Sequence, residues 1–148
     1  MTDLQYFYAL YEMLIHRVNQ SRGGFDDLSE PEKLYYTVAL LRNEINNGGF
    51  HQYFFNSSGS YYNHAEAGLQ QLGATQTLAL LHQAKEIVFS AMPVSADTKV
   101  RRKHMASIDS AQSDLTRKLD ELDQRFYASP DEITPRLEAF ARQHGLVA

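Results

Sequence analysis

Cysteine is absent from all 148 residues. Its absence excludes a disulfide framework, a thiolate nucleophile and any Cys-ligated zinc or iron–sulfur site, and fits a reducing compartment. No secretory leader is expected: the first helical pattern begins almost at Met1, with no basic segment, apolar stretch and small-residue cleavage site. Apolar runs such as Val38-Ala39-Leu40-Leu41 are far too short to span a bilayer. No membrane association is expected, and the expected location is the cytoplasm.

A basic stripe is lacking as well. The net charge is −4; residues 1–75 hold 8 acidic and 4 basic side chains, while the remainder is balanced. Phosphate neutralisation needs clustered Lys and Arg, so direct nucleic-acid binding is not expected. The one basic cluster, Lys99 with Arg101-Arg102-Lys103, reads as a solvated connector. No HExxH spacing, phosphate-binding glycine frame or nucleophile elbow occurs. Accordingly no catalytic residue, metal ligand or cofactor is assigned. His51 and His64, with Glu66, are the one trio of metal-ligating type that folding could bring together.

What remains is an ordinary globular composition, 43% apolar and 22% charged, at a length suited to one domain spanning residues 1–148. Apolar spacings of three and four predict an all-α fold, an irregular bundle of about seven helices. Leu4, Phe7, Tyr11, Leu14 and Val18 mark a first helix over about residues 2–19. Ser29-Glu30-Pro31-Glu32 reads as a capping box that opens a second helix, ending at Asn47-Gly48-Gly49. Phe50 to Asn56 forms a short third helix, followed by a Ser57–Ser60 loop. Helices at about 63–72 and 75–91 precede a connector over 92–101. One long helix over 102–127, with Met105, Ile108, Ala111, Leu115, Leu119, Leu122 and Phe126 as its stripe, comes next. Ser129-Pro130-Asp131-Glu132 reads as a second capping box before the last helix. Adjacent tyrosines, Tyr35-Tyr36 and Tyr61-Tyr62, are expected to leave one ring of each pair partly exposed.

The densest chemistry lies in Glu44-Ile45-Asn46-Asn47-Gly48-Gly49-Phe50-His51-Gln52-Tyr53-Phe54-Phe55-Asn56. Its amides both donate and accept, and its glycine pair lets the backbone turn sharply so that Phe50 and Phe54 point inward. One reading is a corner in which Asn and Gln side chains tie down the turn. The other is a polar pocket on which Glu44, Gln52 and Asn56 converge. Acidic residues also gather at Asp26, Asp27, Glu30 and Glu32, where helix amino termini favour negative charge. A second group, Asp114, Asp120, Glu121 and Asp123, alternates with Arg117, Lys118 and Arg125 and reads as a solvated face.

The string Glu44-x-Asn46-Asn47-Gly48-Gly49-Phe50-x-Gln52-Tyr53-Phe54-x-Asn56-x-Ser58-Gly59 resembles the DNA-mimic-protein-19-like domain family of bacterial helical proteins. The likeness runs from about Leu34 to Ile87. It implies an all-α fold and a protein that imitates the charge pattern of DNA, occupying the DNA-binding surface of a transcription factor. Apart from Glu44 the signature is uncharged, so carboxylates elsewhere must supply any such pattern, with Asp26, Asp27, Glu30 and Glu32 as candidates. The expected function is a non-enzymatic regulatory module that binds a basic or DNA-binding protein. The alternatives are a ligand-binding or enzymatic domain with its pocket at Glu44–Asn56, and an immunity-type protein that neutralises a toxin.

Overall fold

A computed structural model describes residues 2–110 and 113–147. These form seven α-helices: α1 (Asp3–Gln20), α2 (Glu30–Phe55), α3 (Tyr62–Gln71), α4 (Thr75–Phe89), α5 (Thr98–Ser110), α6 (Ser113–Tyr127) and α7 (Ile133–Gln143). Two short 3-10 turns, Gly24–Asp27 and Ser57–Tyr61, flank α2. The second replaces the loop expected at Ser57–Ser60. No strand occurs among the described residues, so the all-α expectation holds.

Helix α2 is the axis around which the others gather, touching α1, α3, α5, α6 and α7. Its start is the capping box read from sequence: Glu32 N–H donates to Ser29 Oγ at 3.3 Å, and Ser29 N–H donates to Glu32 Oε1 at 2.9 Å. Leu34, Val38, Leu41 and Ile45 are buried as expected. Tyr35 and Tyr36, however, are both buried, at 3% and 6% exposure. Residues 34–39 of α2 are buried all round, so this stretch has no solvent face on which to leave one ring of the pair. Tyr35 Oη donates to Phe7 O of α1, while the Tyr36 ring meets Tyr11, Phe25 and Tyr61. Tyr61 and Tyr62 do divide: Tyr61 is half-buried and Tyr62 is buried.

Of the span 102–127, read as one helix, the described residues are helical, in α5 and α6; Ala111 of the expected stripe lies outside the described residues. Two further expectations are corrected. The basic cluster is helical, on α5, rather than a connector. The second capping box does not form. Glu132 is the N-cap of α7, in the left-handed region with φ 51°, and no side chain caps the helix. Asp131 instead accepts a hydrogen bond from the backbone N–H of Thr77, in the first turn of α4. A long-range capping partner has displaced the local one.

Among the described residues no helix is long and apolar enough to cross a membrane.

Candidate functional site

Within α2 the helix breaks at the glycine pair, as the sequence suggests. Gly48 has φ −153°, ψ 16°, and Gly49 has φ 80°, ψ 179°, a backbone region open essentially to glycine alone. Residues beyond the break start a new helical arm, whose first N–H groups lack intrahelical acceptors. Asp123 of α6 supplies one: Phe50 N–H donates to Asp123 Oδ1 at 2.8 Å. Burial raises the Asp123 pKa; the Phe50 N–H opposes this, Asp120 adds to it and His51 opposes it. Sequence reasoning placed Asp123 on a solvated face. Its partner lies 73 residues away, and no local signal marks it.

The other end of this arm is held from α5. Arg101 is fully buried, with all five N–H donors of its guanidinium engaged. Nε reaches Phe54 O at 2.9 Å and Nη2 reaches Asn56 O at 2.8 Å; Ser60 Oγ, Ser95 O and Thr98 Oγ1 take the rest. Gly59 permits this approach, since a Cβ there would stand 2.7 Å from Arg101 Nε. Arg102 adds a bond to Phe55 O at 2.8 Å and lies over the Phe55 ring at 4.2 Å. A cation at a helix carboxy terminus is favourable against the peptide dipoles, and here two serve one six-residue arm. Arg101 and Arg102 of the basic cluster therefore clamp the signature segment, a role the sequence reading missed.

Between these ends, Glu44, Gln52 and Asn56 do converge. Gln52 Nε2 and Asn56 Nδ2 both donate to Glu44 Oε2, at 2.8 Å and 3.2 Å. The carboxylate is thus held through one oxygen by two amides across the break. Phe50, Tyr53 and Phe54 are fully buried, while Asn46, Asn47 and Gly48 are exposed at the corner. Burial pushes the Tyr53 hydroxyl pKa up.

The other predicted residues are scattered. Glu32 bonds Arg17 Nη1 at 2.6 Å besides its capping role. Asp27 Oδ2 accepts from Gly23 N–H at 3.0 Å, and Glu30 pairs with Lys33 at 3.3 Å. Asp26 is exposed in the first 3-10 turn. His51 stacks on Phe55, His64 packs on Phe25, and Glu66 pairs with His82 at 2.8 Å, so the imagined metal trio is not assembled. Among the described residues no three His, Asp or Glu side chains are grouped to hold a metal ion.

A surface the sequence reading did not single out lies where α1 crosses α2 and α7. A groove of about 450 Å³ there is walled by Phe7, Tyr8 and Tyr11 of α1, Tyr35 and Arg42 of α2, and Leu137 of α7. Leu4 and Tyr8, one turn apart on its α1 wall, are 72% and 67% exposed. Glu12 and Glu138 also line it. Burial raises the Tyr11 hydroxyl pKa, a bond to the Asn43 side chain and the charge of Arg42 oppose this, and Glu44 and Glu12 add to it. The signal was present in the sequence as Leu4-x3-Tyr8, but a helical spacing alone does not tell an outer face from an inner one.

The fold and its corner define an all-helical protein whose signature turn is held from α5 and α6. Residues 26–144 match the DMP19-like protein family. The chain belongs to that family, in agreement with the resemblance carried by Glu44–Gly59. No curated protein and no solved structure matches the chain. Helix α1, which carries the exposed groove wall, precedes the matched region.

Proposed function

We propose that this chain is a non-enzymatic regulatory protein-binding module that docks a basic partner protein on the groove between α1, α2 and α7. The observation that carries this reading is the exposure of Leu4 and Tyr8 beside an aromatic groove. Large apolar side chains grouped at a concave surface mark recognition sites, whereas singly scattered ones do not. Glu12 and Glu138 line the groove and Glu44 acts on Tyr11, against two cations, Arg42 on the lining and Arg142 over the Phe7 ring. That balance favours a cationic face on the partner. DNA mimicry is the form of this function that the family resemblance suggests, the docked face then being the partner's DNA-binding surface. An immunity role would use the same groove, and the identity of the partner tells the two apart.

The test is affinity capture from host lysate on the native chain and on a Leu4→Ala, Tyr8→Ala double variant, at low and moderate salt. The expected result is one basic protein retained by the native chain, lost from the double variant and weakened by salt. Equal retention on both baits would overturn the docking surface. Retention of a DNA-binding protein that is released by added duplex DNA would support mimicry in particular.

A further inference from the structure

A second cavity, of about 220 Å³, opens at the first turn of α7, bounded by α2, α6 and the Ser129–Glu132 loop. Its lining carries one cation, Arg42, and one carboxylate, Glu132. Arg42 is half-buried and donates from Nη1 to Thr134 Oγ1 and from Nε to Asn43 Oδ1, both at 3.1 Å. Among the described residues it has no carboxylate at ion-pair distance, and burial pulls its pKa down. Its remaining N–H groups can donate to a bound acceptor. Thr134 Oγ1 accepts from Arg42, which leaves the hydroxyl hydrogen to donate in turn. The first turn of α7 has no side-chain cap, so the N–H groups of Ile133 and Thr134 are further donors with the positive end of the helix dipole behind them.

The independent sign of a ligand is Thr77. This residue of α4 lines the same cavity and is 1% exposed, yet its hydroxyl has no hydrogen-bond partner among the described residues. Its own backbone N–H is occupied by Asp131, which holds the loop against α4. A buried hydroxyl left unmet is unfavourable unless something entering the cavity supplies the acceptor. Donors from Arg42, Thr134, Thr77 and the α7 terminus therefore face a space walled on its apolar side by Phe126 and Ile133.

We propose that this cavity binds a small organic monocarboxylate, its charged end among those donors and its apolar body against Phe126 and Ile133. Glu132 is the one carboxylate lining the cavity, and it disfavours more highly charged anions such as phosphate. Arg42 and Thr134 also line the α1 groove, but the ligand site does not depend on partner docking.

The experiment is an amide-resolved NMR titration of the full chain with isobutyrate and phenylacetate, set against isobutyramide, phenylacetamide and inorganic phosphate. Saturable shifts at Thr77, Ile133 and Thr134 are expected for the two carboxylates and for neither amide. Thr77→Val keeps the side-chain shape and removes the unmet hydroxyl, so it should fold as the native chain does and bind about three- to tenfold more weakly. Arg42→Gln removes a charge-assisted contact and should weaken binding more than about tenfold. Amides that bind as well as carboxylates would overturn the proposal. So would shifts that follow phosphate instead, or a Thr77→Val chain that binds as tightly as the native one.

Discussion

Replacing Gly49 with alanine places a methyl group at the one point where backbone and neighbour both forbid it. At φ 80°, ψ 179° a residue with a Cβ carries a backbone strain of about 1–3 kcal/mol. The new Cβ would also overlap the Asp123 carboxylate, whose Cγ would be 2.8 Å away. Relieving that overlap pulls Asp123 off Phe50 N–H, a bond to a charged acceptor worth about 1.5–3 kcal/mol. Asp123 is partly solvated, so the lower end applies, and the expected total is about 3–4 kcal/mol. For a domain of this size that lowers Tm by about 6–16 °C. Gly145→Ala is the control, because its φ of 69° is left-handed but nothing lies within 4 Å of the added methyl. Backbone strain alone, about 1–2 kcal/mol, is expected there. Urea unfolding of both variants, with Gly49→Ala repeated in an Asp123→Ala background, separates the two contributions. In that background the cost should fall toward that of Gly145→Ala. Equal losses for Gly49→Ala and Gly145→Ala in the native background would refute the account of the corner.

Arg101→Met keeps much of the side-chain volume but withdraws five donors from buried acceptors; unfolding should show a loss of about 3–5 kcal/mol, and a loss below about 1 kcal/mol would mean the clamp is dispensable. Asp123 and Glu32 should give pH dependences of opposite sign. The Asp123 pKa is raised in the fold, so the stability it contributes is present below its unfolded pKa and lost as pH rises through the folded value. For Glu32, burial opposes ionisation, but the Ser29 N–H and Arg17 prevail and hold the carboxyl below its usual range; its contribution is present above the unfolded pKa and lost as pH falls through the folded one. Stability against pH for Asp123→Asn and Glu32→Gln, each subtracted from the native curve, should therefore slope in opposite directions across the carboxylate range, and parallel curves would contradict the assignment.

Short-range signals in the sequence survived because they depend on residues within one turn of each other. Ser29 with Glu32 and the Gly48-Gly49 break are of this kind. Glu44, Gln52 and Asn56 converge for a related reason: spacings of eight and four keep them on one side even across the break. Three of the features missed were long-range substitutes for local partners. Asp123 caps Phe50 from another helix, Asp131 caps Thr77 from a loop 54 residues on, and Arg101 terminates an arm 47 residues before it. Asp123 and Arg101 looked like ordinary solvated charge, because a charged side chain on a polar stretch carries no mark of what it meets after folding. The failed Ser129–Glu132 box shows the same competition: its local pattern was intact, but Asp131 had a better use against α4.

These partnerships also bear on how a basic partner would be held. Imitating a duplex requires carboxylates left open in an extended array, since a charge already paired projects a weaker field. Here Glu32 is tied to Arg17, Asp114 and Glu121 share Arg117, Asp123 and Asp131 cap helices, and Glu44 is held by two amides. Glu12, Asp26, Asp120 and Glu132 are exposed acids with no such bond among the described residues, and they belong to different elements. A net charge of −4 still steers a cationic partner from a distance, which acts on the rate of association. Holding that partner once it arrives falls to contacts that exclude water, and the exposed apolar candidates at the groove are Leu4 and Tyr8. Salt should therefore slow association, while truncating Leu4 and Tyr8 should hasten dissociation. A partner whose affinity depended on salt alone would point to a different surface from the groove.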